Sequence, residues 1–333
     1  MSKKINSKLK KIKWGIAGAG RFAETSFIPA MLLLRKSKIE SIFGNNISRV
    51  KSLSDKFGIP KYFNSYDDFL NSGIDAVYIA SANNDHYEQV MKAAKAGKNI
   101  FCEKPIALTS EQAEEMVKTC KDNNVIFAID YIYRVHPLIK KAKELIDNQI
   151  IGKIVSISLN FNIDFAPNNN YRFLKKSGGG VLRDLGTHMI DLLRYFGGEI
   201  SEINGFTDNI VYKSEVEDFA SGIVKFSKSG YGYFNVSGNN KKALNRIEIL
   251  GHRGVISMDN LIGVKHGTAK LNILLDGEAR KTFRKRANKM SYALKSIQKS
   301  FLKNEKPFAD GNDGLISLKL VEELERKCLT KRN

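Results

Sequence analysis

The sequence predicts two units in series: an α/β unit built on a doubly wound parallel sheet, then an α+β unit built on a large, open, mostly antiparallel sheet. Three observations predict it. In the first third, short apolar strands alternate with helical stretches of about 10–15 residues, the pattern of βαβ units. Beyond residue 150 the strands instead alternate polar and apolar positions, as half-exposed antiparallel strands do. A chain of 333 residues also exceeds what one ordinary core holds. The boundary falls after residue 130, giving units 1–130 and 131–333.

The first unit opens with a strand at KWGIAG (13–18), and an apolar-rich helix follows over 21–35, bent at Pro29. IESIF (39–43) is the second strand, with a helix over 48–57. DAVYIA (75–80) leads to a helix near 85–96, and NIFC (99–102) to one opened by Thr109, where Gln112 stands at the capping-box spacing. VIFAI (125–129) closes the series. In the second unit the strands are 153–161, 201–206, 220–226, 231–238 and 245–251. A glycine-led helix over 181–196 interrupts them, and helical patterns at 287–303 and 313–328 end the chain.

Composition narrows the function classes. Hydrophobic residues make up 42% of the chain, a globular value. No apolar run approaches the roughly 20 residues of a membrane span, so no membrane partner is expected. The lysine-rich start, MSKKINSKLKKIK, lacks an apolar core and reads as a solvated leader. Cys102, Cys120 and Cys328 show no paired spacing, which predicts a reducing, cytoplasmic setting and no metal site. The net charge of +19 includes a cluster of Arg280, Lys281, Arg284, Lys285, Arg286 and Lys289. No nucleic-acid-binding motif accompanies it. An anionic ligand, a dinucleotide or an acidic substrate, accounts for the charge as well, and nucleic acid is not predicted as a partner.

Gly18-Ala19-Gly20-Arg21-Phe22-Ala23 is a G-x-G-x-x-A turn between a strand and a helix, at the start of the βαβ series. The first glycine makes the turn, the second admits a pyrophosphate, and the free N–H groups of the helix end bind phosphate. This predicts a Rossmann unit that binds NAD or NADP. The second strand ends in Gly44-Asn45-Asn46, without the acid that usually holds an NAD ribose. Arg49 and Lys51 are close by, which favours NADP, while Asn45 could hydrogen-bond either ribose.

Two further stretches carry candidate chemistry. Glu103-Lys104-Pro105 follows a buried strand directly, at the sheet edge where ligands of such folds bind. A cis Lys104-Pro105 bond is expected there. In SGGGVLRDLGTHMIDLLRYFGG (177–198), Asp184, His188 and Asp191 share one face of a largely apolar helix. Such a set is either a satisfied core network or a carboxylate orienting an imidazole that exchanges a proton with a substrate hydroxyl.

With these motifs the chain resembles, from about residue 12 to 328, the glucose–fructose oxidoreductase, inositol dehydrogenase and rhizopine-catabolism protein family (Gfo/Idh/MocA). The resemblance rests on the Gly18–Ala23 turn, DAVYIASANNDHYEQVMKAAKAGKNIFCEKPIAL, DYIYRVHPL, the triple glycine with Asp184 and His188, and VEDFASGIVKF. It implies an NAD(P)-dependent enzyme that oxidises or reduces a carbinol carbon of a sugar, cyclitol or related polyol. Lys104 matches the family lysine at the reacting hydroxyl, His188 the proton donor or acceptor, and Asp184 its accompanying carboxylate. Ser81, Asn83, His86 and Glu103 match cofactor-lining positions, beside Gly18, Gly20, Arg21, Phe22 and Asn45. Arg134, Tyr171 and Arg172 match substrate-side positions. Ala82 stands where the family often has proline. The resemblance also implies a homodimer or homotetramer joined through the C-terminal sheet.

Two alternatives use the same scaffold: a redox-assisted glycosidase that keeps its NAD bound, and a non-catalytic dinucleotide sensor, against which Lys104 and His188 both argue. Substrate choice is expected to lie in loops near 163–176 and 231–243. The net charge with Arg172, Lys175 and Lys176 suggests a sugar phosphate or sugar nucleotide.

Overall fold

A computed structural model describes residues 11–167, 171–242, 244–263 and 267–330. The first unit runs β1 (Ile12–Ala17), a π-turn (Ala23–Phe27) into α1 (Ile28–Met31), β2 (Ser37–Phe43), α2 (Ile47–Phe57), β3 (Lys61–Phe63), α3 (Tyr66–Leu70), β4 (Ala76–Ile79), α4 (His86–Lys95), β5 (Asn99–Cys102), α5 (Ser110–Asp122) and β6 (Phe127–Ile129). The strands form one parallel sheet in the order β3-β2-β1-β4-β5-β6. The strand order reverses between β1 and β4, so the crevice for a ligand lies outside their C-terminal ends. Each of β4 and β5 is buried almost throughout, as a sheet covered on both faces requires.

The second unit contains α6 (Pro137–Asp147), β7 (Ile154–Asn162), a π-turn (Leu182–Gly186) into α7 (Thr187–Gly197), β8 (Ile200–Asp208), β9 (Phe219–Phe226), β10 (Tyr231–Ser237), β11 (Arg246–Gly251), β12 (Gly254–Asp259), β13 (Thr268–Leu275), β14 (Lys281–Arg286), α8 (Lys289–Lys303) and α9 (Gly311–Thr330). Its eight strands run β14-β13-β12-β11-β7-β10-β9-β8, antiparallel except for the β7–β10 pair. One face of this sheet packs against α7 and α9 around Leu159, Met189, Leu193 and Leu324, all buried.

The predicted fold class holds, with several corrections. Residues 21–35 do not form one long helix: it ends at Met31, with the π-turn just before Pro29. The elements β3, α3, α6 and β12 to β14 were not anticipated, and the basic run 281–286 is an edge strand. The strand expected over 231–238 is β10, so of the stretch 231–243 named for substrate choice only the part after Ser237 is loop. The last helices return to the first unit. Trp14 of β1 stacks on Phe301 of α8 at 5.4 Å, and Ser37 donates to Gln298 at 2.9 Å. The sheets therefore part near residue 130, while the first core includes Met290, Leu294 and Ile297.

Candidate functional site

The glycine turn packs against the end of β4. Gly18 has φ of +113°, and a Cβ there would stand 2.6 Å from the Ala80 carbonyl carbon, so only glycine fits. A Cβ on Gly20 would meet nothing within 4 Å, which leaves the open cradle a pyrophosphate requires. Beyond the turn, Arg49 donates through Nε to the Ala19 carbonyl at 3.3 Å and pairs with Glu24. Asn46 caps α2 by accepting the Arg49 N–H, which leaves Asn45 exposed at the end of β2.

β5 delivers Glu103 and Lys104 to the crevice, and the Lys104-Pro105 bond is cis, as expected. His86, at the start of α4, is completely buried and donates from Nδ1 to the Pro105 carbonyl at 2.9 Å. Burial lowers its pKa to about 4, so the ring is neutral and braces the turn that carries Lys104.

The second unit supplies the opposite wall. Gly180 has φ of +108°, and its missing side chain leaves room for the Glu217 carboxylate, which would lie 2.3 Å from a Cβ there. Glu217 accepts the Leu182 N–H at 2.9 Å and so caps the helix that carries Asp184 and His188. That helix starts with the π-turn Leu182–Gly186, whose wider turn shifts the faces that a 3.6-residue period aligns. The expected pairing of Asp184 with His188 is replaced accordingly. Asp184 accepts from Lys104 Nζ at 2.5 Å, its own carbonyl takes a second Lys104 bond at 2.7 Å, and Arg172 Nε lies 3.3 Å away. His188 sits among Tyr131, Tyr133 and Phe161, and its Nδ1 is buried with no partner among the described residues.

The charges follow from these contacts. Burial would raise the pKa of Asp184, but the Lys104 and Arg172 charges outweigh it and hold the carboxyl at about 2. Burial, reinforced by the Lys104 charge, pushes His188 well below its ordinary value, leaving a neutral imidazole. Beside Lys104, burial raises both Glu103 and Asp130; the Glu103 charge raises Asp130 further, whereas Tyr78, Lys104 and a hydrogen bond with Asp130 pull Glu103 back down, so the proton of the pair belongs to Asp130. Tyr78 donates to Glu103 at 2.5 Å.

Lys104, Asp184, His188, Arg172, Glu103, Ser81, Asn83 and Phe22 all line one cleft of about 840 Å³ between the units. That volume suits a small ligand with part of a cofactor. Among the described residues no group of three or more His, Cys, Asp or Glu side chains could hold a metal ion, and no helix is long and apolar enough to cross a membrane.

A family model described as "Oxidoreductase family, NAD-binding Rossmann fold" matches residues 12–131, and the GFO/IDH/MocA C-terminal domain matches residues 139–257. The chain belongs to the GFO/IDH/MocA oxidoreductase family. Myo-inositol 2-dehydrogenase of Thermotoga maritima is 27% identical over 96% of this chain and 97% of its own. Oxidoreductase P35 of Formosa agariphila is 30% identical over 58% of this chain, and the match spans 63% of that protein, under two thirds of its length. A solved levoglucosan dehydrogenase, in complex with NADH and levoglucosan, superposes with a TM-score of 0.88 at 21% identity, covering 97% of this chain and 98% of that one. At that identity the superposition speaks for the fold.

Within this GFO/IDH/MocA chain the remaining candidate residues take other places. Arg134 is 7% exposed, bonded to Asp191 at 2.6 and 2.9 Å and to Asp313, and lies between the Tyr131 and Tyr195 rings. It is a core ion pair and not a cleft residue, and Asp191 belongs to it, away from Asp184. His86 braces the lysine turn from behind and does not line the cleft. Gly18, Gly20, Arg21 and Asn45 lie on the glycine-turn side, outside the cleft lining. The side chain of Tyr171 lies outside the described residues. Lys175 and Lys176 do not line the cleft, whereas Asp130, Tyr133, Arg286 and Lys289 do and were missed. For Asp130 a signal existed: it directly follows β6, whose last residue pairs with the last residue of β5, just before Glu103.

Proposed function

We propose that the protein transfers hydride between NAD(P) and the CH–OH or C=O carbon of a sugar, cyclitol or related polyol. The observation that carries this reading is Lys104, from the end of β5, bonded to Asp184 and facing the same cleft as His188. The Gly18-to-Phe22 turn would hold the dinucleotide phosphates, with Ser81, Asn83 and Glu103 along its nicotinamide half. The bound cofactor supplies the hydride donor or acceptor, and the protein supplies orientation and electrostatics. The absence of an acid at Asn45 and the guanidinium of Arg49 beside Ala19 favour NADP over NAD.

The chain's own residues handle the oxygen and its proton. A hydroxyl seated at Lys104 meets a positioned cation, which stabilises the negative charge that grows as the proton departs. His188, held neutral by burial, accepts that proton in oxidation and returns it in reduction. Asp184 fixes Lys104 in place and favours the imidazolium through its charge. The likeness to a myo-inositol 2-dehydrogenase supports the substrate class.

Strand register brings Phe206, Ile223, Tyr231, Tyr233 and Leu274 onto the outer face of the eight-stranded sheet, all of them exposed. An apolar face of this kind supports a homodimer or homotetramer joined there. The function is tested by following nicotinamide absorbance with NAD and NADP across a panel of polyols, sugars, sugar acids and sugar phosphates. Turnover of at least one CH–OH substrate is expected, and a panel wholly without turnover under either cofactor contradicts the reading.

A further inference from the structure

Asp184 joins the two walls of the cleft, and only one of its carboxylate oxygens is bonded to Lys104. Oδ1 takes the Lys104 ammonium at 2.5 Å, and Oδ2 lies 3.3 Å from Arg172 Nε. The carboxylate therefore bridges two cations, one from each unit of the chain. The handling of the reacting oxygen and its proton leaves Arg172 without a role.

Arg172 is half-buried and is held through both its backbone and its side chain. It lies in a 3-10 turn, Tyr171–Phe173, that packs on the triple glycine. Its carbonyl accepts the Gly180 N–H at 3.0 Å, and a Cβ on Gly179 would stand 2.3 Å from the same oxygen. A glycine at 179 thus lets this turn close on the start of the helix that carries Asp184. The Arg172 guanidinium lies 5.9 Å from the centre of the Phe165 ring, within cation–π range, and Phe165 stacks on Phe173 at 5.3 Å. Phe165 is fixed in turn by its N–H, which donates to the Gly238 carbonyl at 2.7 Å.

This bracing bears on where Lys104 points. Asp184 offers Lys104 two acceptors, Oδ1 and its own carbonyl, the latter at 2.7 Å. A carboxylate held at both oxygens by cations keeps one orientation. Without Arg172, Oδ2 loses its cation, and the carboxylate is free to turn away from Lys104. A reacting group misplaced by about 1 Å costs up to about 10²-fold in rate.

We infer that Arg172 is a positioning residue: it acts through Asp184, fixing the carboxylate so that the Lys104 ammonium stays aimed at the reacting oxygen, and it does not grip the substrate. This rests on the proposed oxidoreductase reading and adds a residue to that site. It moves Arg172 from the substrate-side place that the resemblance implies.

The test measures kcat and KM separately, on a panel substrate that turns over, for the wild type, Arg172→Met and Arg172→Lys. Crystal structures of the wild type and Arg172→Met accompany it. In Arg172→Met, kcat is expected to fall by about 10- to 100-fold, with KM kept within about twofold. Arg172→Lys retains the charge without the planar fork and should recover part of that loss. A loss confined to KM makes Arg172 a substrate ligand and overturns the inference, as does a wild-type kcat in Arg172→Met. A fall in kcat that Arg172→Lys does not recover at all assigns the effect to packing and overturns it too. If nothing on the panel is turned over, the oxidoreductase reading fails, and the two structures still decide the positioning. Asp184 turned away from Lys104 in Arg172→Met supports it, and an unmoved Lys104–Asp184 pair overturns it.

Discussion

Lys104→Met keeps the length of the side chain at the end of β5 and removes its charge. Two bonds vanish, at 2.5 Å to the Asp184 carboxylate and at 2.7 Å to its carbonyl. Asp184 is held at about 2 against an ordinary 3.8. That difference is worth about 2.5 kcal/mol of stability at neutral pH. A depressed carboxylate contributes stability above 3.8 and loses it as the pH falls through about 2, and the variant should lose most of this contribution, because burial then dominates. The catalytic cost is separate. Removing one positioned group that stabilises charge on the reacting oxygen typically costs about 10²–10³ in kcat, some 3–4 kcal/mol of activation free energy. Single-turnover rates at saturating substrate and cofactor, with NADPH affinity from fluorescence, separate chemistry from binding. A fall in rate of that size with cofactor affinity kept is expected. A Lys104→Met enzyme that turns over near the wild-type rate refutes the role given to this lysine.

His188→Asn should lower kcat by about 10²–10⁴, with partial rescue by added imidazole, and an unaffected rate contradicts its role in proton transfer. Arg134→Leu should cost about 3–5 kcal/mol in urea unfolding, because it strands Asp191 in the core. A loss confined to KM, with stability intact, would return Arg134 to the substrate site. Glu217 is raised by burial to about 7 from an ordinary 4.5. An acid with a raised pKa costs stability as the pH climbs between those values, so Glu217→Gln should flatten that slope, by about 3 kcal/mol at most. A slope unchanged in the variant argues against this protonation. Tyr233→Glu with Ile223→Lys should lower the mass seen by light scattering, and an unchanged mass places the subunit interface elsewhere.

The parts of the site legible in the sequence are those set by local order. A strand that leads straight into Glu103-Lys104 and a glycine turn between strand and helix put groups at the sheet's C-terminal edge whatever the rest of the chain does. The pairings among distant residues were not legible. Arg134 finds Asp191 and Asp313, 57 and 179 residues on, and nothing near Arg134 separates a core cation from a cleft cation. The i, i+4 spacing of Asp184 and His188 misled because the π-turn breaks the period on which it depends. β14 was missed for a related reason: a strand of mostly Lys and Arg has no apolar alternation, and it forms because β13 offers it a ladder. α6 did carry signals, with His136 accepting the Leu138 N–H ahead of Pro137 at the first position.

The proposed function turns on hydride transfer between the nicotinamide and a CH–OH carbon of a substrate held by Lys104 and His188. Deuterium transfer tests it most directly. NADPH or NADH deuterated at C4 is incubated with the ketone form of each panel substrate that turns over, and the product is read by mass spectrometry and NMR. One deuterium is expected on the former carbonyl carbon, released with the product, and a label rate that falls sharply in His188→Asn. Product without deuterium, or label that cycles on a cofactor that never leaves the protein, would contradict it.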